Sequence, residues 1–267
     1  MLEDAEIIYV VMPFCGGGDL FGAVEARVTA GLSAMGEPSA FRYASQIAEG
    51  LSAMHALGLA HHDVSLENVM LTSAAPGARG GDAVVIDFGM VVKVPLKPTP
   101  EARGEQRVPY RAPVMLRPAL SWPCKCGKML YMAPELLEAR PGRSTFSRVG
   151  DEAEAPSLSL QARRPFDVLA PDVWAFGVTL FILLTGLPPW EVDTGPSAAD
   201  PRYVYVRDGM LRTLLQTWGL PLTEGAMDLL QRCLTADPAR RITFAEVQRH
   251  PWWLEQQALA AGAGSST

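Results

Sequence analysis

Apolar residues along the chain follow two periods, and each change of period marks an element. Residues 7–12 form an unbroken run rich in β-branched side chains and closed by Pro13, which predicts a β-strand. Gly16, Gly17 and Gly18 supply a turn, and Asp19 is placed to cap a short following helix. Over 38–57, Phe41, Ala44, Ile47, Ala48, Leu51 and Met54 recur at i, i+3, i+4 spacing, which predicts a helix closed by Gly58. Short strands are expected at 68–71 and 83–86, joined by a Gly/Ala/Pro-rich loop. Helical patterns return at 172–185, 203–218, 223–234 and 243–249, and the small, polar residues 258–267 read as a frayed tail. Residues 93–123 and about 139–168 carry prolines and arginines without apolar periodicity, and are expected to be surface insertions.

Composition narrows this picture in three ways. At 48% hydrophobic and 19% charged residues, the 267-residue chain has the makeup of a globular protein with a sizeable core. A net charge of −6 argues against non-specific nucleic-acid binding. Four cysteines and an acidic N-terminus without a signal-peptide pattern predict an intracellular, cytoplasmic protein with free thiols, the nucleus being left open. Cys124 and Cys126 lack the second ligand pair that a zinc site needs. The apolar run 173–190 is at the short limit for a membrane span, follows Asp172 and ends in Gly and prolines, so a buried core helix is the better reading.

The candidate chemistry begins at His61-His62-Asp63-Val64-Ser65-Leu66-Glu67-Asn68. Phosphoryl transfer needs a carboxylate to orient the attacking hydroxyl, oxygen ligands for metal ions, and positive charge at the transferred group. Asp63, Asn68 and the Asp87 of "IDFG" offer one carboxylate and two oxygen ligands of the kind Mg²⁺ accepts. Each short pattern alone is weak. Their order is not: this loop, then "IDFG", "YMAPE" at 131–135, "DVWAFG" at 172–177 and "DPARRIT" at 237–243.

In that order the sequence resembles the eukaryotic protein kinases of Ser/Thr type, from the hinge strand through the C-terminal lobe. The resemblance implies a protein-kinase-like α+β fold: a predominantly α-helical large lobe with one hinge strand and short β-hairpins, over residues 1–254. It implies ATP and Mg²⁺ as cofactors and a protein Ser/Thr hydroxyl as acceptor. By position, Asp63 is the catalytic carboxylate, and Asn68 and Asp87 are the metal ligands. Pro13 and Cys15 match the hinge that meets the adenine edge, Met12 the gatekeeper, Met70 the floor beneath adenine, and Asp19 the acid near ribose or a basic substrate residue. Glu135 and Arg241 match a buried structural ion pair. The turn at 183–190 and the "HPW" at 250–252 resemble calcium/calmodulin-regulated kinases.

Four departures qualify the resemblance. The family's glycine-rich loop and strand lysine belong upstream of the hinge, yet the first lysine here is Lys93, so the small lobe is expected to be missing. Gly16 to Gly22 is G-x-G-x-x-x-G, out of register for a phosphate loop and placed at the hinge. His62 replaces an arginine that holds a phosphorylated activation loop, which argues against such control through Thr99, Tyr110 or Ser121. Ser65 replaces the lysine aimed at the γ-phosphate, while Lys128 stands where a threonine normally meets the catalytic Asp. Together the last two suggest that ammonium and hydroxyl have exchanged places across one contact. The expected function is transfer of the ATP γ-phosphate to protein Ser/Thr, carried by a truncated domain. The alternative is a catalytically inactive binding module or scaffold.

Overall fold

The computed structural model describes residues 2–3, 8–32, 35–73, 81–94, 96–98, 107–109, 128–138 and 167–264. Its centre is a helix that is apolar on every side. Helix α4 (Ala170–Thr185) buries all sixteen of its residues, as a helix without a polar face must. Thr179 and Thr185 return their hydroxyls to the carbonyls of Ala175 and Phe181, so neither hydroxyl is stranded. Gly186, at φ 70°, ends the helix.

The other elements wrap this axis. A hairpin of β1 (Leu2–Glu3) and β2 (Ile8–Tyr9) is followed by α1 (Leu20–Thr29) and α2 (Glu37–Ala56). Three further antiparallel pairs form: β3 (Leu59–Ala60) with β6 (Val92–Lys93), β4 (Val69–Leu71) with β5 (Ala83–Val85), and β7 (Leu96–Pro98) with β8 (Arg107–Pro109). Then come α3 (Pro134–Glu138), α4, α5 (Pro201–Arg207), α6 (Leu211–Thr217), α7 (Glu224–Cys233), α8 (Phe244–Val247) and α9 (Pro251–Gly264). Helix α2 packs its stripe of Phe41, Ala44, Ile47, Ala48 and Leu51 into the core that α4 shares. At the start of α2, Glu37 accepts from Trp252 Nε1 at 2.7 Å and from Thr223 N and Oγ1, so one carboxylate clamps α2, α7 and α9.

The fold is the helical large lobe that the motifs implied, with four local corrections. The strand expected at 7–12 is only Ile8–Tyr9, because 10–12 meet no partner strand among the described residues. The pattern at 203–218 is two helices, α5 and α6, separated where Gly209 takes φ 76°. The stretch 93–123 contains the β7–β8 hairpin, although most of it, like most of 139–168, lies outside the described residues. Finally, of the tail expected to fray at 258–267, residues 258–264 continue α9. Ala258, Ala260, Ala261 and Ala263 are strong helix formers, and Gln256 is buried.

Candidate active site

One buried carboxylate fixes the loop at 61–68. Asp172, in the first turn of α4, accepts from His61 N at 2.7 Å and from His55 Nε2 at 2.8 Å through Oδ2. Its Oδ1 accepts from His62 N at 2.8 Å. Burial alone would push this carboxyl up, but the bond from His55 and the charges and amides around it hold it below the ordinary range. His55 lies on α2, so this side chain joins α2, the loop and α4 at one point. His62 sits in the left-handed region at φ 62°, and its Nε2 donates to the Val168 carbonyl at 2.8 Å. The imidazole that replaces the expected arginine therefore faces the backbone leading into α4. Thr99, Tyr110 and Ser121 lie outside the described residues.

Above this base, the loop sets its own geometry. Asp63 N donates to His61 Nδ1 at 3.2 Å, which leaves the His61 proton on Nε2 for the Ile86 carbonyl at 3.0 Å. Asn68 Nδ2 donates to both the Asp63 carbonyl and Asp63 Oδ2, each at 2.8 Å. Two oxygen acceptors on one side identify that side as the amide nitrogen. Asn68 Oδ1 is thereby turned outward, as an oxygen ligand should be. Asp87 takes φ 64°, and its Oδ1 accepts from Gly89 N at 3.1 Å, leaving Oδ2 toward solvent. An amide oxygen and an exposed carboxylate are donors of the kind that Mg²⁺ accepts with phosphate and water as its other ligands. Burial lifts the Asp63 carboxyl above its ordinary value. The Asn68 bond and the Lys128 charge oppose that rise without cancelling it.

Ser65 and Lys128 meet. Ser65 Oγ caps the 3₁₀ turn Leu66–Asn68 by accepting from Asn68 N at 3.3 Å, and it accepts from Lys128 Nζ at 3.1 Å. Lys128 also pairs with Glu67 Oε1 at 3.1 Å. From the sequence alone, Glu67 reads as an ordinary surface acid.

The hinge side is more open. Met12 and Pro13 are exposed outside regular structure, and Cys15 is half-buried. Asp19 caps α1 by accepting from Gly22 N at 2.7 Å, and it forms a β-bridge with Met70, so these two predicted site residues are neighbours. The glycine run is not a phosphate cradle: Gly17 N is committed to the Leu71 carbonyl, and a Cβ there would lie 2.6 Å from the Ser73 carbonyl oxygen. A cavity of about 610 Å³ flanks the loop, lined by Phe21 and Val28 of α1 with Glu67, Lys128, Tyr131 and Val192.

Below the site, Arg241 holds Glu135 through paired bonds of 2.6 and 2.9 Å. Its guanidinium also donates to the carbonyls of Thr235, Ala170 and Ala236, and lies 5.0 Å from the Trp174 ring centre. Every polar need of the buried cation is met.

A helical lobe built around such a loop is the large lobe of a protein kinase fold. Comparison with known families agrees: the protein kinase domain matches residues 1–148 and 162–253, and the chain belongs to that family. Among similar proteins are calcium-dependent protein kinase 9 of Arabidopsis thaliana, 28% identical over 95% of this chain, and calcium-dependent protein kinase 19 of Oryza sativa, 27% identical over 96%. The calcium/calmodulin-dependent protein kinase type II alpha chain of Drosophila melanogaster is 27% identical over 97%. The chain spans 36%, 37% and 38% of the lengths of these three relatives. No helix among the described residues is long and apolar enough to cross a membrane.

Proposed function

We propose that the protein is a serine/threonine protein kinase that transfers the γ-phosphate of Mg·ATP to a hydroxyl of a protein substrate. The observation that carries this reading is the Asp63–Asn68 pair, in which a double hydrogen bond turns the Asn68 amide oxygen away from Asp63, while Ile86 N, one residue before Asp87, bonds the Asn68 carbonyl at 2.9 Å. Asp63 orients the acceptor hydroxyl and takes up its proton. Asn68 and Asp87 would hold Mg²⁺, which when bound neutralises the phosphates. Pro13 and Cys15 would meet the adenine edge with Met12 as gatekeeper, Met70 the adenine face, and Asp19 the ribose or a basic substrate residue. Lys128 supplies the positive charge that the catalytic loop itself lacks, with Ser65 as its hydroxyl partner; their 3.1 Å contact supports the exchange. The apolar cavity beside α1, lined also by Glu67 and Lys128, would give an acceptor segment room. The relatives' names favour a calcium-regulated subgroup. A soluble protein partner, without nucleic acid or membrane, fits the negative charge.

Phosphotransfer and nucleotide binding, measured on this chain and on any longer version of it, test the proposal. Activity in either form that disappears in Asp63→Ala and Asp87→Ala is the expected result. A longer protein that stays inactive while capturing a protein partner would favour the non-catalytic scaffold instead.

A further inference from the structure

Lys128 donates to two atoms of one short turn, and only one of them belongs to the exchange of hydroxyl and ammonium. Its amine has three N–H donors. One meets Ser65 Oγ, and Glu67 Oε1 lies as close, both at 3.1 Å, so a single turn holds the head group. Ser65 Oγ is saturated as an acceptor, since Asn68 N holds its other lone pair. Glu67 in turn lies near Tyr131, whose phenol accepts from Leu66 N at 3.4 Å, and the buried Glu67 Oε2 has no hydrogen-bond partner among the described residues, which leaves the carboxylate to Lys128. Lysine is a flexible four-carbon stem that does not fix its own head group. An ion pair with side chains 42% and 32% exposed adds little to folding stability. What this pair does supply is position.

We infer that Glu67 is a positioning residue of the phosphotransfer site, latching the Lys128 amine onto the turn that carries Ser65 and Asn68. The inference rests on the reading of Lys128 as the loop's missing cation, and deepens it: the exchange involves three residues, with Glu67 holding the long stem in place. Glu67 acts through Lys128 and need not touch the transferred group.

Competitive acetylation of amines in the full chain, followed by mass spectrometry, tests the latch without nucleotide. The exposed Lys93 is the internal reference. Glu67→Gln keeps the size of the side chain and removes the charge. It should raise Lys128 labelling relative to Lys93 by about threefold, the size expected of so exposed a pair. In the unmutated protein, raising ionic strength should release Lys128 in the same direction. Unchanged labelling in either experiment overturns the inference, and the salt series decides the matter even if the variant folds poorly. In an active form, Glu67→Gln should lower kcat with KM for ATP unchanged, and should have no further effect once Lys128→Met is present. Full activity in Lys128→Met would sink the catalytic reading of Lys128 while leaving the labelling result for Glu67 intact.

Discussion

Asp63 shows at the level of one residue how a site works against the stability of its own fold. Burial raises its folded-state pKa, so the group favours folding below its unfolded value near 3.9. That contribution is lost as pH rises through the raised folded value, and at neutral pH the ionised carboxylate is a cost. Asp63→Asn should therefore melt at a higher temperature than the parent at pH 7 while losing phosphotransfer. A lower midpoint in differential scanning calorimetry would refute this, since Asn still offers Asn68 an acceptor oxygen. Kinetics give a second check. The reaction needs the carboxylate, so kcat should rise with pH through the Asp63 ionisation. Lys128 lowers that pKa, so Lys128→Met should move the acid limb to higher pH; an unmoved limb would place Lys128 outside the field of Asp63. Asp63, Asn68 and Asp87 are legible in the sequence because spacing within a loop and a tripeptide carry them. Lys128 is legible only as one of two complementary departures. Glu67 is not legible at all, because its role depends on an amine reaching it from 61 residues along the chain.

Among the elements, the joint between α2, the catalytic loop and α4 is made by Asp172 and not by apolar packing alone. Removing one partner from a buried charged network costs about 3–5 kcal/mol. Asp172→Ala should lose on that order at pH 7 in urea titration, and the loss should sever His55 from both backbone amides. The folded pKa of Asp172 is depressed, so its stabilisation is present above the unfolded value near 3.9 and lost as pH falls through the lower folded one. The gap between parent and variant should accordingly narrow below about pH 4; a gap that widened there would contradict the assignment. The sequence offers a signal for this joint, an acid at the head of a helix with no polar face, yet names no partner for it. Helix α4 carries another close fit. A Cβ on Gly177 would lie 2.7 Å from the Cys233 Cβ of α7, so Gly177→Ala should destabilise by about 1–3 kcal/mol through overpacking. The end of α9 escapes a reading by pattern because a run of small residues looks featureless, although alanine is the best helix former. The break between α5 and α6 is hidden because the apolar period survives across Gly209.

At the scale of the molecule, two features join and expose the lobe. Arg241 and Glu135 tie the segment at 128–138 to the helices that follow 170. Glu135→Ala would leave a buried guanidinium beside Trp174 with three carbonyls and no counter-charge. A loss of about 3–5 kcal/mol is expected, and a variant with unchanged Trp fluorescence and unchanged midpoint would show that the pair is dispensable. At the opposite face, Val11 is 79% and Phe14 93% exposed, among the similarly exposed Val10 and Met12. Such a stretch favours association. Val11→Lys with Phe14→Lys should reduce concentration-dependent scattering of the chain, and equal scattering would place its association elsewhere.

That exposed face is also mechanically wired to the catalytic loop. Gly17 N bonds the Leu71 carbonyl at 2.9 Å, Leu71 N bonds the Gly18 carbonyl at 2.8 Å, and Asp19 bridges Met70. The crowding that excludes a side chain at Gly17 makes this a stiff splice with no slack. Any load placed on residues 10–15 is thus handed to strand β4, and Asn68 is the residue immediately before that strand. A body resting on residues 10–15 would press on Asn68 through backbone alone, with no side chain needed as messenger.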